Sequence, residues 1–252
     1  RRTLRPEILA AGQLGDGGTS ERRVPAAVLE LPESVTALAV GGSHSCALLQ
    51  AGGVVCWGRN LNGQLGNGAN VDQTTPVAVA GLGGLVTALV AGAHHTCALL
   101  QSGAVQCWGD NRDGQLGDQT TTARNLPTAV NGLAGPVKAI AAGSDHTCAI
   151  LTDGQVQCWG DNARGQLGDG SREDRTSPVL VSNLRDSIAT VAAGRFHTCA
   201  LAIDGDLWCW GTNNRGQLGT GTLESSRTPL RVSSVPGDAT ALTAGLDHTC
   251  AL

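Results

Sequence analysis

The chain predicts an all-β fold, a β-propeller of four-stranded antiparallel blades, and three observations carry that reading. His44, His95, His146, His197 and His248 each precede a cysteine by two residues in a His-Ser/Thr-Cys-Ala pattern that recurs every 51 residues. Gly-Gln-Leu-Gly keeps the same interval at 12–15, 63–66, 114–117, 165–168 and 216–219. Cys-Trp-Gly does likewise at 56–58, 107–109, 158–160 and 209–211. A fixed period of this length marks one supersecondary unit stacked on its copies. Residues 1–252 therefore read as a single array of about five repeats, with motifs from about 12 to 252 and with 1–11 as a degenerate or truncated repeat. The chain opens on Arg1 rather than Met and closes within a repeat at Leu252, as expected of part of a larger ring.

The unit from Trp57 to Cys107 shows how each element arises. Thr75-Pro76-Val77-Ala78-Val79 is a β-prone run opened by a proline, which suits an edge strand or a strand start. Val86 to Ala91 alternates side chains and stops at Gly92. His95 to Leu100 and Ala104 to Trp108 flank Gln101-Ser102-Gly103, a short Gly-containing connection that reads as a tight hairpin. Four strands per unit result, without helices, and this is the signature of propeller blades. Glycine at 36 residues and aromatics at only 2% fit short strands joined by tight turns.

The motifs, taken in order, resemble those of the regulator of chromosome condensation (RCC1-type) repeat family. His95-Thr-Cys-Ala-Leu99, a Ser-Gly or Asp-Gly turn, Val-x-Cys-Trp-Gly, an Asn, and Gly-Gln-Leu-Gly carry the resemblance from about Gly12 to Leu252. The resemblance implies a propeller, usually of seven blades in that family. Five repeat lengths here are expected to be part of such a ring, and a five-unit ring is the alternative. It also implies an extracellular protein of bacterial type as one relationship. The family's eukaryotic namesake implies a second activity, nucleotide exchange on a small GTPase. A related bacterial propeller family that blocks β-lactamases implies a third, inhibition of a secreted enzyme.

Eight cysteines form pairs ten residues apart: Cys46/Cys56, Cys97/Cys107, Cys148/Cys158 and Cys199/Cys209, with Cys250 left over. If the hairpin centres on Ser102, residues whose numbers sum to 204 face each other, which sets Leu99 against Val105 and Cys97 against Cys107. Directly opposed antiparallel residues lie about 4.5–5.5 Å apart at Cα, close enough to be bridged. A ring of this size stabilises a blade by about 2–3 kcal/mol on the chain-entropy model. Four such bridges imply an oxidising compartment, so the expected location is extracellular, periplasmic or cell-surface. Two other readings stay open: zinc held by His95, Cys97 and Cys107, and reduced cysteines filling small core positions.

Net charge is −4 and Lys138 is the only lysine, so no basic stripe exists for phosphate neutralisation and nucleic acid is not an expected partner. The apolar run from Val77 to Val90 is not expected to span a membrane, because the matching segment one repeat later carries Pro136 and Lys138. Gly-Gln-Leu-Gly lacks the Gly-Lys-Ser/Thr ending of a phosphate loop. No catalytic set, metal motif or cofactor is called for, and the chain is not expected to be an enzyme.

A residue required five times at equivalent positions serves every blade. The histidines are therefore expected to hydrogen-bond backbone groups at the strand start, the Gln amides to tie the Gly-Gln-Leu-Gly loop, and Trp57, Trp108, Trp159 and Trp210 to fill the space between blades. Only Trp208 breaks the register. Function belongs where the copies differ. The residues before each motif histidine vary and are expected on one face: Ser43, His94, Asp145, Arg195 with Phe196, and Asp247. Phe196, the only phenylalanine, beside Arg195 has the composition of an interface hot spot, with inward packing of Phe196 as the alternative. The loops 67–74, 118–125, 169–176 and 220–227 also vary and read either as solvated loops or as the rim of a binding surface. The expected role is binding or scaffolding of a protein or other extracellular macromolecule.

Overall fold

The computed structural model describes residues 11–184, 187–233 and 239–252. Residues 1–10, part of the stretch read as a degenerate repeat, lie outside the described residues. Blade 1 comprises β1 (Val35–Val40), β2 (His44–Leu49), β3 (Val54–Gly58) and β4 (Gln73–Ala78). Blade 2 comprises β5 (Val86–Ala91), β6 (His95–Leu100), β7 (Val105–Gly109) and β8 (Arg124–Ala129). Blade 3 comprises β9 (Val137–Ala142), β10 (His146–Leu151), β11 (Val156–Gly160) and β12 (Arg175–Leu180). Blade 4 comprises β13 (Ile188–Ala193), β14 (His197–Ala202), β15 (Leu207–Gly211) and β16 (Ser226–Arg231). The pair β17 (Leu242–Ala244) and β18 (Thr249–Ala251) begins another. Each complete blade is a four-stranded antiparallel sheet in sequence order, as the strand pattern predicts. The first strands of adjacent blades run beside one another, which makes them the inner strands of the arc.

The second strand of each complete blade, β2, β6, β10 and β14, is buried along its whole length, because it packs between two neighbouring blades. Alternating side chains serve alternate neighbours: Ala98 and Leu100 of β6 pack toward blade 1 with Trp108, whereas Cys97 and Leu99 pack toward blade 3 with Trp159. This explains a run that is apolar or small on both faces. The outer strands carry a proline at the fourth position, Pro76 in β4, where the ladder to β3 is interrupted between Cys56 and Gly58. A missing N–H is tolerated at such an edge and bulge.

The hairpin register follows the sum rule: Leu99 faces Val105 and Cys97 faces Cys107. Disulfides join Cys46–Cys56, Cys97–Cys107, Cys148–Cys158 and Cys199–Cys209, with Cα atoms 4.0–4.1 Å apart. Cys250 is exposed and unpaired. The first three bridges are each roofed by the next blade's tryptophan, as Cys46 and Cys56 are by Trp108. Gly66, at φ +68°, closes that contact, since a Cβ there would lie 2.7 Å from the Trp108 Nε1.

Candidate interaction face

The repeated polar residues form one network that crosses every blade boundary. Thr96 Oγ1 donates to the Gln64 carbonyl at 3.0 Å, and Trp108 Nε1–H donates to the same oxygen at 2.9 Å, so both lone pairs of that carbonyl are used. His44 Nε2 lies 2.9 Å from Thr96 Oγ1. The threonine's single proton is already committed to the carbonyl, so the histidine must donate. This fixes the Nε2–H tautomer. The same chain recurs through His95 and Thr147, His146 and Thr198, and His197 and Thr249. The structure corrects the expected partner: the imidazole reaches a side-chain hydroxyl of the following blade, not backbone at its own strand start. The reason is geometric, since its ring lies against Gly41 and the Gly92 carbonyl, where a Cβ on Gly41 would collide. Burial, with neighbouring histidines, depresses these bases: His44 and His146 to about 3, and His95 and His197 to about 4. They stay neutral, structural donors.

The Gln amides behave as expected, each accepting a backbone N–H two residues earlier, from Asn62, Asp113, Arg164 and Arg215. The loops after Gly-Gln-Leu-Gly are organised from inside. Asn60, Asn111, Asn162 and Asn213 are fully buried, and each accepts the N–H of the motif leucine while its amide reaches back to the loop. Asn111 Nδ2 donates to Asp118 Oδ1 and to the Thr120 and Thr122 carbonyls. Asp118 and Asp169 are in turn paired with Arg124 and Arg175 at 2.9 Å. Sequence reading counted this Asn among the motif residues but assigned it no role.

The varying residues before each histidine come together. Their turns are hydrogen-bonded blade to blade: Gly42 N–H to the Ala93 carbonyl, Ala93 N–H to Ser144, Ser144 N–H to Gly194, and Arg195 N–H to Leu246. One continuous rim at the end of the inner strands results. Ser43 is buried and so withdrawn from it. His94, Asp145, Phe196 and Asp247 are half-buried on the rim, and Arg195 is exposed. Arg195 Cζ stands 4.8 Å from the Phe196 ring centroid, a cation–π pair. Asp247 meets Arg215 at 3.7 Å.

The rim also gathers carboxylates that sequence reading did not group. Burial, then Asp161, Asp145, Asp174 and Asp110, pushes Asp113 up to about 6. Burial and Asp161 raise Asp145. Asp110 is also penalised by burial, but the Arg112 guanidinium, 2.6 Å away, holds it below the ordinary carboxylate range. Burial lowers His94, with Asp110 opposing. The rim is thus acidic over blades 2 and 3 and cationic–aromatic at blade 4. Among the described residues, no His/Cys/Asp/Glu group is arranged to hold a metal ion, so the zinc reading has no geometry behind it. Among the described residues, no helix is long and apolar enough to cross a membrane.

These features define a repeat β-propeller whose blades are individually disulfide-closed and share one variable rim. The RCC1-like domain profile matches residues 10–252, and the chain belongs to that family. It is 39% identical over 224 residues to the ultraviolet-B receptor UVR8 of Arabidopsis thaliana, covering 86% of this chain and 51% of that one. It is 38% identical over 216 residues to the probable E3 ubiquitin-protein ligase HERC4 of Mus musculus, covering 83% of this chain and 20% of the other. The chain thus spans about half or less of these relatives. Among solved structures, human WBSCR16 superposes with a TM-score of 0.85 at 27% identity, covering 96% of this chain and 65% of that one. Prp20p of Saccharomyces cerevisiae, described with its binding to Gsp1p and histones, superposes at 0.79 with 21% identity, covering 93% and 58% respectively, a likeness of fold alone.

Proposed function

We propose that this propeller is a non-enzymatic binding module that engages another protein through the rim built from His94, Asp145, Arg195, Phe196 and Asp247, in an extracellular, periplasmic or cell-surface setting. One observation carries the reading: five turns are laced by hydrogen bonds into one surface, and the side chains they present are the ones that differ between otherwise matching repeats. The disulfides support the oxidising location, since such bridges do not persist in a reducing cytosol. The nucleotide-exchange reading rests on family resemblance and on a fold neighbour at 21% identity.

Capture from extracellular or envelope extracts with the disulfide-intact chain tests this reading. Arg195→Ala with Phe196→Ala is expected to weaken capture by about thirtyfold or more, the scale of an interface hot spot, while Ser102→Ala in a hairpin at the other end of the strands leaves it unchanged. Capture insensitive to the rim substitutions, or accelerated nucleotide release from a small GTPase, would overturn it.

A further inference from the structure

The chain builds the same groove at each of the three junctions between complete blades and fills it differently each time; a fourth copy, bridged by the Gly17 N–H to the Thr74 carbonyl at 3.1 Å, precedes blade 1. The groove lies between the loop that follows Gly-Gln-Leu-Gly in one blade and the start of the outer strand of the next. One backbone bridge recurs in all three: Gly68 N–H to the Asn125 carbonyl, Gln119 N–H to Thr176, and Gly170 N–H to Arg227, at 2.9–3.0 Å. Three positions 51 residues apart from copy to copy distinguish the junctions. They are Asn62, Asn70 and Asn125 between blades 1 and 2, Asp113, Thr121 and Thr176 between blades 2 and 3, and Arg164, Arg172 and Arg227 between blades 3 and 4.

The first groove satisfies itself, because Asn125 Nδ2 donates to the Gly68 carbonyl and to Asn70 Oδ1, both at 3.0 Å. The third does not. Its three arginines surround an open volume of about 400 Å³ together with Ser225, Ser226 and Thr228. No carboxylate lines it. Among the described residues none of the three guanidinium groups makes an ion pair; Arg164 acts on Asp161 only through its field, and other nearby acids have partners of their own. Asp169 is held by Arg175 and the Asn162 amide, Asp174 accepts the Asn162 N–H, and Asp161 accepts from Gln166. Ser225 Oγ accepts the Asn213 N–H at 3.0 Å, which leaves its own proton free to donate into the groove.

We propose that this groove is an oxyanion site that takes a phosphate or sulfate group. Three arginines line one groove, and a guanidinium fork matches the oxygens of such a group in bidentate fashion. A doubly charged tetrahedral group satisfies them better than one carboxylate. The site is separate from the rim residues of the proposed partner surface, and either proposal can fail without the other.

Nuclear magnetic resonance titration of the isotope-labelled, disulfide-intact chain with inorganic phosphate, sulfate and acetate tests the site. Saturable shifts are expected at the amides of Gly170 to Arg172 and of Ser225 to Thr228. Phosphate or sulfate is expected to bind about tenfold more tightly than acetate, the tighter of the two naming the natural group, and Arg172→Gln to weaken it about fivefold or more. Arg172 is exposed on a loop, so the substitution leaves the fold intact, and Arg23→Gln serves as the matched loss of one charge. Shifts that do not saturate, acetate binding as tightly as the dianions, or equal losses from Arg172→Gln and Arg23→Gln would each overturn the proposal.

Discussion

Replacing Thr147 by valine removes one hydroxyl from the network that joins blades 2 and 3 and keeps the side chain's shape. Thr147 is fully buried; its Oγ1 donates to the Gln115 carbonyl and accepts from His95 Nε2, both at 3.0 Å. The carbonyl keeps the Trp159 N–H at 2.9 Å, so its loss is partial. The His95 N–H loses its only acceptor and stays buried, the costly half of the change. One lost bond and one unsatisfied buried donor together amount to about 2–4 kcal/mol. In urea, with a slope of about 2–3 kcal/mol per molar, the unfolding midpoint should fall by about 1 M. Thr147→Ser should cost under about 1 kcal/mol, since a hydroxyl remains in reach, and Ser45 already makes the equivalent bond to Gln13 at 3.1 Å. Thr121→Val, on an exposed loop, is the reference. A midpoint for Thr147→Val indistinguishable from that reference would refute the view that the His–Thr–carbonyl chain holds the blades together.

The same histidines make the fold acid-sensitive. Their folded-state values of about 3 to 4 lie below the ordinary 6.5, so below pH 6.5 the unfolded chain binds protons that the native chain refuses. Stability is full above pH 6.5 and is lost as pH falls toward 4, by up to about 5 kcal/mol per pH unit for four protons. Asp113, raised to about 6, acts in the opposite sense and gains stability as pH falls through that value, offsetting about one proton in four. Urea midpoints at pH 7, 6 and 5 should therefore drop steeply over the last interval, and a flat profile would contradict the neutral, buried assignment. Gly92→Ala places a methyl group in the His95 ring and beside the Gly143 carbonyl and should cost about 2–3 kcal/mol. Gly84→Ala, with nothing near the added carbon, should be silent by the same assay.

Much of the fold was legible because an exact interval of 51 residues turns one correct hairpin into four. The Ser102-centred register, the strand limits at Val86–Ala91 and His95–Leu100 and the ten-residue disulfides all follow from alternation and turn chemistry within a single repeat. The histidine's partner was not legible, because Thr96 lies 52 residues from His44 and the bond depends on how one blade stacks on the next. The rim's location could be inferred from variation between copies, but its charge could not. Asp110, Asp113, Asp161 and Asp174 sit on different turns and loops that only the curvature of the arc draws together, and Ser43 shares the rim's register yet is covered. The arginine groove was hidden for the same reason, since Arg172 and Arg227 are 55 residues apart and in neighbouring blades.

The central claim is that the repeated residues are scaffold and that each blade is closed by its own disulfide in an oxidising setting. Mass spectrometry of the chain taken from its native source, alkylated under denaturing conditions before and after reduction, addresses it directly. The account predicts one alkylated thiol without reductant, at Cys250, and nine after reduction. Eight further thiols open to alkylation before reduction, at residues 46 to 209, would contradict it.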